Sequence, residues 1–498
     1  MLTRLKINGF KNLVDVDIRF GPFTCIAGAN GVGKSNLFDA IRFLSALADS
    51  SFLEAAHVVR DDDEDSRSVD IRSLFHRVGE LQLGPMSFEA EMIIPSEGQD
   101  NLGQTAKATT TFLRYKLELA YVADGAISTR GTLKLEHESL DYYKKGDAHQ
   151  HLLFQHSAKS WRESLGFGKR TSPFISTDNP EGRKVIKIHQ DRQDVKGGGR
   201  TRKLLADSLP RTALSDTNAS ESPTALLARL EMRSWRLLQL EPTALRRPDE
   251  FNAPSRLGVD GAHLAKSLYT VANSNQAQNG IGLMTSSNQV YAQVTNRLSQ
   301  LLDDVRTVRV DRDEKRELLT LEVAGKDGTF HPARSLSDGT LRFLALAVLE
   351  LERSPGVLSF EEPENGIHPQ RISAMLELLQ DIAVDTDSPI GDENPLRQVI
   401  INTHSPGVVA HVPADSLLVA DLQEGRSRFD KTRFRYTRFS CLPNTWRAKG
   451  SPPAQIMALG RLLSYLNPAA DDLTETKGTT KYPQVKDHFR EQVEMDFK

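Results

Sequence analysis

The stretch G-A-N-G-V-G-K-S at 28–35 limits what this chain can fold into more than any other. Before it, F-T-C-I-A at 23–27 is an apolar run that reads as a buried strand. After it, residues 36–46 carry Leu37, Ala40, Ile41 and Leu44 at helical spacing. A GxxxxGKS loop between a strand and a helix is a phosphate cradle: glycines let successive N–H groups face an anion, and the helix N-terminus adds its partial positive charge. Lys34 is then the group that reaches β- and γ-phosphates, and Ser35 is a Mg²⁺ ligand. Gly28, Ala29, Asn30, Gly31, Val32, Gly33 and Asn36 complete the candidate nucleotide-binding set.

A second stretch, 335–368, supplies groups of opposite charge. Val357, Leu358 and Phe360 make a short apolar run that reads as a parallel strand, and Glu361 and Glu362 follow it directly. The two carboxylates emerge at the carboxyl edge of a sheet, where open α/β folds bind ligands. Adjacent acids repel and lose hydration unless a cation or proton relieves them, and nucleotide-bound Mg²⁺ would do so. The alternative is a helix start at Pro363 with acids in its first turn. A third apolar strand, 398–402, ends in T-H-S-P, which places His404 at the same kind of edge.

The chain has 498 residues, enough for two or three domains. At 39% hydrophobic and 26% charged it has the composition of an ordinary globular protein, and a formal charge of -3 gives no global pull toward nucleic acid or membrane. Two cysteines, Cys25 and Cys441, exclude a disulfide framework. Without a signal-peptide core or a membrane-length apolar run, the expected location is the cytoplasm.

Between these motifs, alternating patterns predict strands at 2–8, 14–20, 87–95, 112–122, 133–140, 305–310 and 316–324, and helices at 222–232, 261–272 and 289–302. Residues 235–240 read as another strand. The acidic run 61–65 reads as a solvated loop. Residues 159–211 hold thirteen Lys or Arg against six Asp or Glu, a balance of +7. Within them, 196–203 reads as a flexible basic segment, either a solvated loop or a nucleic-acid contact through Lys196, Arg200, Arg202 and Lys203. No heptad pattern persists for three or four turns, so no long coiled coil is expected.

Taken together, I-N-G-F-K at 7–11, the phosphate loop, S-L-S-D-G-T at 335–340, the Glu361–Glu362 pair and His404 resemble the ABC-type ATPases of the RecF/SMC branch. Within that branch the chain is most similar to AAA15-like single-chain ATPases and to the PtuA group, the ATPase subunits of Septu anti-phage systems. The resemblance implies an α/β fold with an ABC-type ATPase head, mixed sheets with helices, and an inserted helical or irregular lobe. It divides the chain into 1–150 and 301–440, the two parts of the ATPase domain, 151–300, a mostly helical lobe with the basic segment, and 441–498, a helix and polar tail available to a partner.

By the same resemblance the 28–35 loop is Walker A, Glu361 the Mg²⁺-associated Walker B acid and Glu362 the catalytic base. Ser337, Asp338 and Gly339 belong to the ABC signature, residues 364–368 to the D-loop, and His404 is the switch histidine. No glutamine stands out as the Q-loop residue. The implied cofactors are ATP and Mg²⁺. The implied catalytic groups are Glu362, His404 and Lys34, and the implied assembly is an ATP-sandwiched dimer or an oligomer of dimers. No nuclease centre of the chain's own is apparent. The expectation is therefore an ATPase sensor in antiviral defence, with an HNH-type nuclease partner and DNA contact. The alternatives are an ATPase paired with a Toprim effector, as in PARIS-like systems, or a RecF-like repair ATPase.

Overall fold

The apolar run at 23–27 is a strand inside a six-stranded sheet. The computed structural model describes residues 1–59, 70–79, 81–82, 84–123, 131–191, 201–274, 285–302, 304–426, 432–450 and 454–458. Across the sheet the order is Arg236–Leu238, Gly356–Glu361, Arg397–Thr403, Phe23–Ala27, Leu417–Arg426 and Arg433–Cys441. The first five strands are parallel, and the last pairs antiparallel with Leu417–Arg426. Every residue of Phe23–Ala27 and Arg397–Thr403 is buried, as a parallel strand covered on both faces must be.

Alternate side chains of these strands enter different cores. Ile26, Val357, Ile400 and Leu418 face the N-terminal core, whereas Cys25, Leu358, Phe360, Val399 and Ile401 face the C-terminal one. The N-terminal core is closed by an antiparallel sheet of eight strands. In spatial order these are Thr201–Leu205, Val185–His189, Ile175–Asp178, Thr132–Tyr142, Phe112–Val122, Met86–Ile93, Leu2–Asn8 and Val16–Arg19. Helix Lys34–Leu47 is packed into this core through Leu37, Phe38, Ile41 and Leu44. Phe43 of that helix stacks on Phe10 with ring centroids 5.8 Å apart and meets Phe88 of the large sheet at 5.9 Å. The phosphate-loop helix is thereby anchored to the N-terminal strands.

On the other face, helices Leu264–Ser274, Thr285–Ser299, Asp338–Glu352 and Ile372–Ile382 pack with a smaller sheet built on Val305–Asp313 and Leu318–Gly325. Among the described residues the longest helices have 15 residues, so no long coiled coil is present. None is long and apolar enough to cross a membrane.

Residues 151–300 hold short strands as well as helices. Strands Ile175–Asp178, Val185–His189 and Thr201–Leu205 extend the large sheet, alongside the helices Pro223–Arg233, Leu264–Ser274 and Thr285–Ser299. The basic stretch is thus in part a sheet edge, because Lys203 and Arg202 register against Lys187 and Ile188 and complete a ladder. Lys196, Arg200, the acidic run 61–65 and the tail 459–498 lie outside the described residues.

Candidate nucleotide site

Four parallel strands end at one edge of the central sheet, and each leaves polar groups there. Arg236–Leu238 is followed by Gln239, and Gly356–Glu361 ends in Glu361 and leads to Glu362. Arg397–Thr403 brings Asn402 and leads to His404, and Phe23–Ala27 leads into the phosphate loop. A cleft of about 760 Å³ is lined by Asn30, Gly31, Gly33, Lys34, Ser35 and Asn36 from the loop, and by Gln239, Arg342, Glu361, Glu362, Asn365 and Asn402 opposite it. That volume suits a ligand of nucleotide size.

The loop holds its shape through its own backbone and a clamp from the hairpin. Gly33 has φ 100°, and a Cβ there would sit 2.2 Å from Thr437 Oγ1 and 2.5 Å from Asn12 Nδ2, so only glycine fits. Thr437 Oγ1 donates to the Val32 carbonyl at 2.6 Å. Lys34 Nζ donates to the carbonyls of Gly28 (2.7 Å) and Ala29 (2.9 Å). Burial lowers the Lys34 pKa, with Glu362, Glu364 and Glu361 acting in the opposite direction. Lys11 Nζ reaches Asp39 Oδ2 at 2.5 Å, and Asn36 Nδ2 donates to Asn12 Oδ1 at 2.7 Å. These contacts tie the 7–11 stretch to the loop's helix.

Opposite the loop, each carboxylate has its own set of donors. Glu361 accepts from Gln239 Nε2 at 2.9 Å and from Asn402 Nδ2 at 3.3 Å. Glu362 has φ 45°, a left-handed conformation uncommon for a side chain of this type. It is held there by its N–H, which donates to the Asn402 carbonyl (3.1 Å) and to Asn402 Oδ1 (3.0 Å). Its carboxylate accepts from Asn365 Nδ2 at 3.0 Å and lies 2.5 Å from His404 Nδ1. Partial burial works against the ionised form, but Asn365, His404 and Lys34 outweigh it, and the Glu362 carboxyl sits below its ordinary range. After Glu362 the chain makes a turn over 363–366, so no helix starts at Pro363.

Glu364 lies buried behind this pair. It accepts from Thr403 Oγ1 and leaves Oε2 without a hydrogen-bond partner among the described residues, and burial raises its pKa.

Ser337, Asp338 and Gly339 are not part of the cleft lining. Ser337 caps helix Asp338–Glu352, with Oγ accepting from the Thr340 N–H at 3.3 Å, and Asp338 pairs with Arg246. Arg342, one turn on, lines the cleft and donates through Nε to the Leu240 carbonyl at 3.0 Å. Arg202 pairs with Asp216 at 2.5 Å, and both Arg202 and Lys203 are exposed on the sheet edge, on strand Thr201–Leu205. The structure therefore brings together the Walker-type loop, Glu361, Glu362 and His404, and leaves Ser337, Asp338, Gly339 and the basic edge outside the cleft lining.

Sequence patterns do not single out Gln239, Arg342, Asn365 or Asn402, which the structure adds to the site. Gln239 was recoverable, since it is a polar residue closing a strand in the same way as Glu361. Asn402 ends a run that reads only as buried strand, and its contact to Glu362 exists only once the two strands pair. Ser35 hydroxyl and Glu361 carboxylate on one cleft are hard oxygen donors that suit Mg²⁺. No cluster of three or more His, Cys, Asp or Glu able to hold a metal occurs among the described residues, so most ligands there would be water and phosphate.

Comparison with known proteins finds two family matches and short stretches of identity. Residues 161–410 match the family described as "AAA domain, putative AbiEii toxin, Type IV TA system", and residues 1–80 match the RecF/RecN/SMC N terminal domain. The chain is 38% identical over 65 residues to the DNA replication and repair protein RecF of Porphyromonas gingivalis, covering 13% of this chain and 18% of that one. RecF of Phocaeicola vulgatus is 44% identical over 46 residues, 9% of this chain and 12% of the relative. The chain thus spans less than a fifth of the curated relatives it matches. An SMC head bound to the C-winged helix domain of ScpA aligns with TM-score 0.43 and 13% identity, over 89% of this chain and 98% of that one. With half of its length in the first match, the chain belongs to that AAA-domain family.

Proposed function

We propose that this protein hydrolyses ATP between two copies of itself and uses the nucleotide-bound dimer to control a separate nuclease subunit. The observation that carries the reading is the division of its groups. Lys34, Ser35, Gln239, Glu361 and Glu362 share one cleft, while Ser337 and the N-terminus of helix Asp338–Glu352 stand outside it. A helix N-terminus with a serine cap is suited to a γ-phosphate. Supplied by a second chain, it would close the open side of the cleft.

In this mechanism Lys34 and the loop N–H groups hold the triphosphate. Glu362, kept ionised by Asn365 and His404, takes the proton from the attacking water, and Gln239 and Asn402 orient Glu361 beside it. Mg²⁺ held by Ser35 and Glu361 would neutralise charge on the transferring phosphoryl group. His404 hydrogen-bonds Glu362 and fixes its direction. Placing donors where charge develops supplies most of the acceleration expected of such a site.

The nuclease partner is read as HNH-type, by resemblance to the ATPase subunits of Septu anti-phage systems. The family description names a toxin and a type IV TA system, wording that supports a multi-component role. The RecF matches favour a second reading, a repair-type ATPase that binds DNA with no nuclease partner. Salt-dependent DNA binding by the isolated chain, reduced by replacing Arg202 and Lys203, would favour that second reading.

The shared-site mechanism is tested by mixing two inactive chains. Ser337→Arg blocks the signature face and Lys34→Ala disables the phosphate loop, so neither turns over alone. A mixed dimer contains one intact composite site, and turnover should return on mixing. If Ser337→Arg hydrolyses ATP normally by itself, the shared site is wrong.

A further inference from the structure

The two strands that carry Gln239 and Glu361 to the nucleotide cleft begin at a second cavity, at the opposite edge of the same sheet. It has a volume of about 250 Å³, and Arg236, Arg256, Arg397, Glu352 and Leu358 are among its lining. Its walls come from the start of strand Arg236–Leu238, the connection into Gly356–Glu361 and the first residue of Arg397–Thr403.

The charges around this cavity do not balance. Arg397 is only 7% exposed, and its Nε has no hydrogen-bond partner among the described residues. Of its terminal nitrogens, Nη1 donates to the carbonyls of Leu349 (3.0 Å) and Glu350 (2.9 Å), in the last turn of helix Asp338–Glu352. Arg236 is half-buried and donates to the Leu257 carbonyl, while Arg256 is exposed. Among the described residues none of these three guanidiniums has a carboxylate within 4.0 Å. The fourth arginine of the lining, Arg233, is paired with Asp49. The one carboxylate on the cavity, Glu352, already accepts from Ser267 Oγ (2.7 Å) and the Leu257 N–H (3.2 Å).

Helix capping accounts for part of this arrangement. Helices Pro223–Arg233 and Asp338–Glu352 both end near the cavity, and each C-terminus carries roughly half a negative charge. With Glu352 they offset about two of the three guanidiniums, leaving roughly one uncompensated positive charge. Capping explains Nη1 of Arg397 but not its buried Nε, nor Arg256, which has no carboxylate partner among the described residues. Buried charges are ordinarily paired, and a planar guanidinium offers the paired donors that phosphate oxygens accept.

We propose that this cavity is a second anion site, for a small phosphorylated ligand, held by Arg236, Arg256 and Arg397 and separate from the ATP cleft. Its size admits a pyrophosphate group and excludes a whole nucleotide in extended form. Because Arg236 and Gln239 lie three residues apart on one strand and its connection, a ligand here would sit at the far end of an element that reaches the reacting edge.

The test uses the full chain carrying Lys34→Ala, so that the phosphate loop does not compete, and inorganic pyrophosphate as the probe in calorimetric titration. One equivalent should bind per chain. Adding Arg256→Glu or Arg397→Gln should weaken binding at least tenfold, while Arg256→Glu leaves the melting temperature without pyrophosphate unchanged. Arg256 is exposed and has no hydrogen-bond or ion-pair partner among the described residues, so its variant remains informative even if Arg397→Gln fails to fold. Absence of saturable binding, or binding that both variants leave intact, overturns the proposal.

Discussion

Glu362 occupies a backbone conformation that few residues of its kind adopt, and the cost is offset by two hydrogen bonds to Asn402 and by the partners of its carboxylate. Strain of this sort turns the second acid out of the strand's line, so that Glu361 and Glu362 have different donors despite being neighbours. Replacing Glu362 with Gln preserves shape and removes the proton acceptor. Single-turnover hydrolysis should fall by roughly 10²–10⁴-fold with ATP affinity retained. Hydrolysis at the native rate would remove Glu362 from the role of base. The residue types were legible in the sequence: a loop of this spacing, two acids at a strand end and a histidine at another. The asymmetry between the two acids was not, because it depends on Asn402, 40 residues away in the chain.

At the scale of elements, the signature helix and the loop after Glu362 are in direct contact. A Cβ on Gly339 would lie 2.1 Å from the Gly366 carbonyl oxygen, a backbone atom that cannot yield without moving the loop. Arg342 of the same helix donates to the Asn365 carbonyl, and Asn365 in turn bonds Glu362. Gly339→Ala should therefore lower hydrolysis more than it lowers nucleotide affinity, and reduce the melting temperature by a few degrees, about 1–3 kcal/mol of overpacking. Steady-state kinetics beside a thermal melt would separate the two effects, and native turnover would show that the loop is not coupled to the helix. Strand and helix patterns predicted most of the elements in 1–59 and 305–426, where period-2 and period-3.6 signals are clean. They failed for 175–205, whose short strands carry charged residues on an exposed edge and are ordered by pairing with neighbours rather than by their own pattern.

For the molecule as a whole, stability against pH depends on a group outside the site. Glu138 is fully buried in the large sheet and accepts from the N–H groups of Ala213 (2.7 Å) and Leu214 (2.9 Å) and from Tyr115 Oη (3.1 Å). Burial pushes its pKa up to about 7, although those donors act the other way. A carboxyl with a raised folded-state pKa binds its proton more tightly in the folded protein. Its favourable contribution is thus complete below the unfolded value of 4.5 and is lost as pH rises toward about 7. Between those limits the native chain should lose on the order of 3 kcal/mol relative to Glu138→Gln, read as converging or crossing denaturation midpoints at pH 5 and pH 8. Parallel midpoints at both pH values would contradict this.

The sequence by itself determined the local chemistry: which loop cradles phosphate, which strand ends carry acids, and that apolar parallel strands must be covered on both faces. Spacing and hydrophobic period act over a few residues, so they are readable in one dimension. Only the tertiary structure decided which strand lies beside which. That order brings Gln239 and Asn402 onto Glu361, sets Glu362 against His404, and leaves the start of helix Asp338–Glu352 outside the cleft. Contacts between residues more than 40 positions apart are a product of sheet order, and no local pattern encodes them.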